Sequence, residues 1–252
     1  MAITAASLAI TPYMVGNFSG FTAPKLRAEH TKFAGTERVN LAEAPTGKVT
    51  IITPQKDPNG DTIYLSYFQN EISSVRISSP PPAGVDKFLT DSLSGCMVFV
   101  DSIAGTNDLI LYHSNAKMHS PPGNFSGTHP SMETGNATTH LTDLHTRAQA
   151  DYQPTPPLLP LVINNVGSIN KPTYNQNAQI EVDRKTNMGR NKVEFLGGTI
   201  VIGFWTGVVW TFYWQTFGDT EYDRPYYAAK RYTSGKHQDA NDTRVLGYGQ
   251  FY

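Results

Sequence analysis

One uncharged stretch constrains the fold of this chain more than any other feature. Residues 195–217 read FLGGTIVIGFWTGVVWTFYWQTF, and these 23 positions carry no charged side chain. A helix of that length could cross a bilayer. However, the stretch contains four Thr, one Gln and four Gly, and its other residues are mostly β-branched or aromatic. This composition favours strands. We therefore predict two core strands that turn between Gly203 and Gly207.

Shorter β-type runs alternate with turn residues along the rest of the chain. They predict strands at 48–53, 62–68, 74–78, 97–101, 109–113, 160–164 and 179–182. The tetrapeptide 57–60, Asp-Pro-Asn-Gly, predicts a hairpin between the first two. Helical periodicity is confined to 85–93 and 141–152. The sequence thus predicts an α+β, β-rich fold, a β-sandwich of mixed or antiparallel sheets with a few flanking helices, in one domain spanning residues 1–252.

Charge and composition narrow the expected partners. Only 16% of residues are charged and the formal net charge is -1, so we expect no nucleic-acid partner. We also expect no membrane association, because no Lys/Arg-rich amphipathic segment is present. The N-terminal residues lack a positive region and are interrupted by Pro12, so no secretory signal peptide is evident. The expected protein is a monomer without a cofactor.

A polar segment at about 114–160 is predicted to leave the core as a long loop. It contains four of the chain's seven histidines: His119, His129, His140 and His145. Their spacing matches no common zinc pattern, so we expect solvated loop residues and no metal.

Cys96 is the chain's single cysteine and stands at the head of an apolar strand. A thiol attacks an acyl carbon as the thiolate, which needs a neighbouring base such as histidine. In one possible hairpin register Cys96 lies opposite His113, close enough for a hydrogen bond. Val98, Val100, Leu109 and Leu111 would then share one face. The alternative is that Cys96 is a buried core thiol unrelated to His113.

Ser94 and Gly95 precede this cysteine. A turn at Gly95 could direct the amides of Gly95 and Cys96 toward a developing oxyanion, with the Ser94 hydroxyl as a further donor. An ordinary Ser-Gly turn before a strand is the alternative.

These residues resemble the catalytic signature of the cytotoxic necrotizing factor deamidases, and more closely that of the Burkholderia lethal factor branch. The resemblance consists of Leu-Ser-Gly-Cys at 93–96, a preceding Thr90, Val-Phe at 98–99 and His-x-x-Ala at 113–116. The Gly-rich β run at 197–207 is a weaker similarity. The connection between Cys96 and His113 is longer here than in the family, and so is the polar segment that follows.

The resemblance implies a β-sandwich enzyme that converts one glutamine of a target protein to glutamate. It implies Cys96 as the nucleophile, His113 as the base, Thr90 as the group that orients His113, and Ser94 as part of the oxyanion site. An amine that reaches the thioester before water would give transglutamination.

The resemblance also implies a toxin-like virulence effector, secreted or injected by a bacterium and acting in the host cytosol. Its implied targets are a DEAD-box translation initiation helicase or a Rho-family GTPase. Two alternatives stay open. One is a non-catalytic β-sandwich binding module that presents the 114–160 loop, and the other is a chemotaxis-receptor-type glutamine deamidase.

Overall fold

A computed structural model of the chain describes residues 3–16, 36–46, 49–66, 72–93, 95–115, 137–154, 158–171, 173–174, 191–222 and 242–252. Its strands are β1 (Tyr13–Val15), β2 (Thr36–Pro45), β3 (Thr50–Lys56), β4 (Thr62–Leu65), β5 (Ile72–Ile77), β6 (Lys87–Thr90), β7 (Met97–Ile103), β8 (Leu109–Ser114), β9 (Ile163–Ile169), β10 (Asn191–Trp205), β11 (Trp210–Tyr222) and β12 (Asp242–Gln250). Helix α1 spans Ala137–Asp151, and a 3₁₀ turn spans Ser7–Ala9.

The strands form two sheets. The larger sheet is mixed and has eight strands in the order β1-β3-β2-β4-β6-β10-β11-β12. The smaller sheet is antiparallel and has four strands in the order β5-β8-β7-β9. Residues from both sheets share one buried cluster, which we call the inter-sheet core; it includes Val98 and Leu111 from the smaller sheet and Phe88 and Phe212 from the larger. The predicted β-rich sandwich is confirmed.

Helix α1 covers the outer face of the smaller sheet. Its Leu141 and Leu144 pack in a second cluster with Phe99, Ile110 and Tyr112. Strands β7 and β8 are therefore buried on both faces, since their alternate residues point into the inter-sheet core. This double burial explains why both strands are almost continuously apolar in sequence.

The uncharged stretch at 195–217 belongs to a long antiparallel hairpin of β10 and β11. Neighbouring residues of β10 point to opposite faces, with Val201 in the inter-sheet core and Ile200 in a third cluster beneath the N-terminal residues. The turn lies at residues 206–209, where the Thr206 amide donates to the Val209 carbonyl. The predicted pair of core strands is confirmed, but the turn lies later than predicted, because Gly203 still pairs with Phe212 inside the hairpin. Within the described residues, no helix has both the length and the hydropathy to span a membrane.

The hairpin predicted at residues 57–60 is wrong in its pairing. The turn is present, with the Gly60 amide donating to the Asp57 carbonyl. However, β3 and β4 each pair with β2, which lies between them. Gly60 packs directly on the backbone of Val39 in β2, and Arg38 Nε donates to the Gly60 carbonyl at 2.9 Å. Strand β2 thus lies between β3 and β4, so these two strands do not pair with each other as a hairpin.

The two predicted helices have different outcomes. The segment at 85–93 is not helical, because Lys87–Thr90 forms β6 between β4 and β10. Its Phe88 and Leu89 point to opposite faces of the larger sheet, so pairing with two neighbouring strands outweighs the weak local periodicity. The predicted helix at 141–152 is confirmed within α1. The strand predicted at 179–182 lies outside the described residues.

Replacing Gly60 with Ala should destabilise the protein, because an added Cβ would lie 2.3 Å from the Val39 carbonyl oxygen. Backbone atoms cannot yield as a flexible side chain would, so we expect the free energy of unfolding to fall by at least about 2 kcal/mol. Asn59→Ala, in the exposed part of the same turn, is the matched control and should change it by less than about 0.5 kcal/mol. Urea unfolding followed by tryptophan fluorescence measures both, and equal midpoints would contradict this account.

Candidate functional site

Cys96 lies where the chain passes from the larger sheet to the smaller one. After β6, Leu93 is held on β10 by two backbone hydrogen bonds with Thr199, of 2.6 and 3.1 Å. Cys96 follows three residues later, directly before β7, and its side chain belongs to the inter-sheet core. The cysteine is therefore anchored from both sheets.

Gly95 gives this connection its sharp turn. Its φ angle is +149°, a conformation that favours glycine. An ideal Cβ built on Gly95 would meet no heavy atom of the described residues within 4 Å, so the space beside its backbone is open. The turn predicted at this position is present. Ser94, the predicted oxyanion donor, lies outside the described residues.

The hairpin register predicted for β7 and β8 is wrong by two residues. His113 lies opposite Val98, not opposite Cys96, and Asp101 lies opposite Ile110. Asp108 provides the physical reason, because its carboxylate receives hydrogen bonds from Arg76 of β5 at 2.7 and 2.9 Å. This ion pair holds Asp108 in the loop, away from the carboxylate of Asp101.

A shift of two residues keeps every side chain on its predicted face. Cys96 and His113 therefore still point to the same side of the smaller sheet, as diagonal neighbours instead of direct partners. Diagonal positions on adjacent strands are within reach of longer side chains. The predicted common face of β7 and β8 is confirmed; its members in the inter-sheet core are Val98, Val100, Leu109 and Leu111.

Thr90 and His113 lie at the same end of the two sheets. Thr90 is paired with Leu65 at the end of β4, and the next residue, Ser66, accepts a hydrogen bond from Ser73 of β5. Ser73 in turn lies opposite His113. The Thr90 hydroxyl donates to the Asp91 carbonyl at 2.8 Å, so it could serve an imidazole only as a hydrogen-bond acceptor.

The candidate residues are deeply buried. Cys96 is 3% exposed, and Thr90 and His113 are 0% exposed. Burial lowers the pKa of His113 to about 3, because a charged imidazole loses its hydration in an apolar core. His113 is consequently a neutral imidazole at physiological pH, and so low a pKa also makes it a weak base toward a thiol.

Tyr174 is a neighbour of Cys96 that the sequence analysis missed. It is 3% exposed and shares the inter-sheet core with the cysteine. Its hydroxyl donates to the Cys96 carbonyl at 3.5 Å. Burial and the nearby Cys96 thiol raise the pKa of Tyr174, so its phenol stays protonated. Its short Lys-Pro-Thr-Tyr context has no periodicity that could have indicated this position.

The expectation that His145 is a solvated loop residue is wrong. His145 is buried on α1, where its ring stacks on Phe99 with centroids 4.0 Å apart. Its Nε2 lies 2.8 Å from the carboxylate of Asp101. The reason is the amphipathic placement of α1, which turns this histidine toward the smaller sheet. His119 and His129 lie outside the described residues, and so does the side chain of His140.

Asp101 is the centre of a polar cluster beneath α1. Its carboxylate accepts hydrogen bonds from Gln149 at 2.8 Å and from Asn165 of β9 at 3.0 Å, besides the contact with His145. Burial alone would raise the pKa of Asp101, but these hydrogen bonds outweigh it and hold that pKa below its ordinary value. Three elements are thus joined through one carboxylate. No group that could hold a metal ion is found among the described residues.

In comparisons with known proteins, no family model matches the chain and no curated protein matches it either. The resemblance to the deamidases therefore stays a prediction that rests on residues 90–116.

Replacing His145 with Ala should destabilise the protein strongly, because it removes one partner of a buried charge. Loss of a hydrogen bond to a buried charged group costs on the order of 1.5–3 kcal/mol in the free energy of unfolding. Thr146→Ala, on the exposed side of the same helix, is the matched control and should stay within about 0.5 kcal/mol of the wild type. Chemical unfolding monitored by circular dichroism distinguishes the two, and a similar small effect for both would show that the cluster does not hold α1.

The buried neutral His113 predicts a dependence of stability on pH. The unfolded chain binds a proton at this residue near its ordinary pKa of about 6.5, whereas the folded protein does not until a pKa of about 3. Stability therefore falls as the pH decreases from 6.5 toward 3, and His113 alone should remove about 2 kcal/mol between pH 7 and pH 5.

The control for this measurement is His113→Leu, which cannot titrate. Whatever its stability at pH 7, its urea midpoint should change less between pH 7 and pH 5 than that of the wild type. Equal changes in the two proteins would contradict the assignment to His113.

Proposed function

We propose that this chain is a protein glutamine deamidase that uses Cys96 as its nucleophile and His113 as its proton carrier. The observation that carries the proposal is that these two side chains share one face at one end of the smaller sheet. The turn at Gly95, with open space beside it, adds an approach for a substrate carboxamide. Thr90, at the same end of the sandwich, is the proposed orienting residue.

The proposed reaction begins with transfer of the thiol proton from Cys96 to the neutral imidazole of His113. The thiolate then attacks the carboxamide carbon, and a sulfur–carbon bond forms as the carbonyl becomes an oxyanion. The amides of Gly95 and Cys96 are the proposed donors to that oxyanion, with the Ser94 hydroxyl as a further donor. Collapse of this intermediate breaks the carbon–nitrogen bond, and His113 donates its proton to the departing ammonia.

The second half of the reaction regenerates the thiol. Water enters the site, His113 accepts one of its protons, and the hydroxide attacks the thioester carbon. Cleavage of the sulfur–carbon bond releases glutamate on the target and returns the proton to Cys96. An amine in place of water would give a cross-link, so a minor transglutaminase activity belongs to the same proposal.

The proposed setting is that of a bacterial toxin-like effector in the host cytosol. The similarity of residues 90–116 to the Burkholderia lethal factor branch favours a DEAD-box translation initiation helicase as the target, with a Rho-family GTPase as the second choice. Neither the target nor the route of delivery bears on the chemistry at Cys96.

One observation favours a different function. Both proposed catalytic side chains are almost completely buried, as expected if Cys96 and His113 were ordinary core residues of a non-catalytic binding module. Exposed apolar side chains at Leu158, Leu159 and Val162 would suit such a module.

The two functions are separated by treating host-cell lysate with the protein and searching all peptides for the mass increase of a Gln-to-Glu conversion. Cys96→Ser should lower the rate of that conversion by at least about a thousand-fold, because loss of a nucleophile removes the covalent path. Ser102→Ala, on the same strand and outside the site, is the matched control and should keep the wild-type rate. A conversion that continues at full rate in Cys96→Ser would overturn the proposal.

A further inference from the structure

We propose that Tyr174 is the residue that covers the Cys96 thiol, and that a substrate must displace its ring before the thiol can react. This inference rests on the proposed function for its meaning in catalysis, but the covering itself is a property of the fold. It assigns an access-controlling role to a residue outside the 90–116 region.

Hydrogen bonds to Asn170, directly after β9, hold Thr173 and Tyr174. The Asn170 side-chain oxygen accepts hydrogen bonds from the Thr173 amide at 2.9 Å and from the Thr173 hydroxyl at 2.7 Å. The Tyr174 amide donates to the Asn170 carbonyl at 3.2 Å. Because β9 is the edge strand next to β7, this turn brings the phenol to the end of β7 where Cys96 lies.

The Tyr174 hydroxyl is held by the backbone of Gly95 and Cys96. The phenol belongs to the same inter-sheet core as Cys96, which is 3% exposed. Its hydroxyl lies 3.5 Å from the Cys96 carbonyl, at the outer limit of a hydrogen bond. The phenol also forms a hydrogen bond with the backbone of Gly95, so a carboxamide that bonds to the same backbone groups competes directly with it.

The two sides of the thiol differ in access. The position that a Cβ of Gly95 would take is free of described residues, whereas the Cys96 side chain belongs to the inter-sheet core. A carboxamide can therefore approach along Gly95, but it must exchange places with the phenol to reach the sulfur. The free-energy cost of displacing the phenol must be supplied by binding energy from other parts of the substrate.

This requirement indicates the class of substrate. Free glutamine and short peptides offer little contact beyond the carboxamide, so they should not open the site. A glutamine on the surface of a protein partner can supply that contact through its surroundings. Tyr174 would thus restrict the enzyme to protein-bound glutamine.

The first test measures the rate at which iodoacetamide alkylates Cys96 in the folded protein. Tyr174→Ala should raise this rate at least about ten-fold over the wild type, because it removes the cover. Tyr174→Phe keeps the ring but loses the hydroxyl's contacts with the backbone of Gly95 and Cys96, so its rate should lie between those of the wild type and Tyr174→Ala. Asn170→Ala leaves the ring intact but removes the anchor of its turn, so it should also raise the rate.

A matched control separates local uncovering from general loss of stability. Tyr13 is another buried tyrosine, and it belongs to the third cluster on the far face of the larger sheet. Tyr13→Ala should lower the unfolding free energy but leave the alkylation rate below that of Tyr174→Ala under native conditions. If Tyr174→Ala does not fold, Asn170→Ala decides alone. Unchanged alkylation in the folded Tyr174→Ala or Asn170→Ala protein, or equal acceleration by Tyr13→Ala, would overturn the covering role.

The second test measures ammonia release from free glutamine and from a blocked glutaminyl-glycine dipeptide. The wild type should release no more than its Cys96→Ser variant, whereas Tyr174→Ala should release at least about ten times more. If alkylation accelerates while neither these probes nor lysate proteins lose amide nitrogen, the covering stands and the deamidase proposal fails. If lysate proteins are deamidated while Tyr174→Ala leaves alkylation unchanged, the deamidase proposal stands and the covering fails.

Discussion

Burial of β7 on both faces is the constraint on which the rest of the structure depends. One face packs against the larger sheet, and the other packs against α1. Because strand side chains alternate, each residue of β7 is assigned to one of two enclosed environments. Cys96, at the entrance of this strand, belongs to the inter-sheet core, whereas Asp101 belongs to the layer beneath α1. The candidate site and the polar cluster therefore lie on opposite faces of β7.

The structure buries two histidines in different ways. His145 is placed against a carboxylate that also receives hydrogen bonds from Gln149 and Asn165, so a charged group is accommodated by surrounding donors. His113 lies among apolar side chains, and burial lowers its pKa to about 3. The first arrangement joins a helix to a sheet. The second leaves a neutral imidazole on the same face of the smaller sheet as Cys96, and it costs stability when the pH falls.

The candidate site combines groups from separate parts of the chain at the junction of the two sheets. The Leu93–Thr199 bridge fixes the approach to Cys96 from the larger sheet, and the turn after β9 brings Tyr174 to it from the edge of the smaller sheet. In the proposed enzyme, the resting state has a covered Cys96 thiol and a neutral His113. Displacement of the cover by a bound partner would link recognition of the partner to the start of the reaction.

The sequence by itself determined the β-rich class, the two core strands of the uncharged stretch and the helix that became α1. It also allowed a register in which Cys96 and His113 share a face, and the observed pairing keeps that face because it differs by an even number of residues. Only the tertiary structure decided the register of β7 and β8, the insertion of β2 between β3 and β4, and the burial of His145. The physical reason is that each depends on contacts between distant residues, such as Arg76 with Asp108 or Gly60 with Val39. Local sequence patterns do not indicate which distant side chain will pack against a given residue. For the same reason, nothing in the sequence indicated that Tyr174 lies near Cys96.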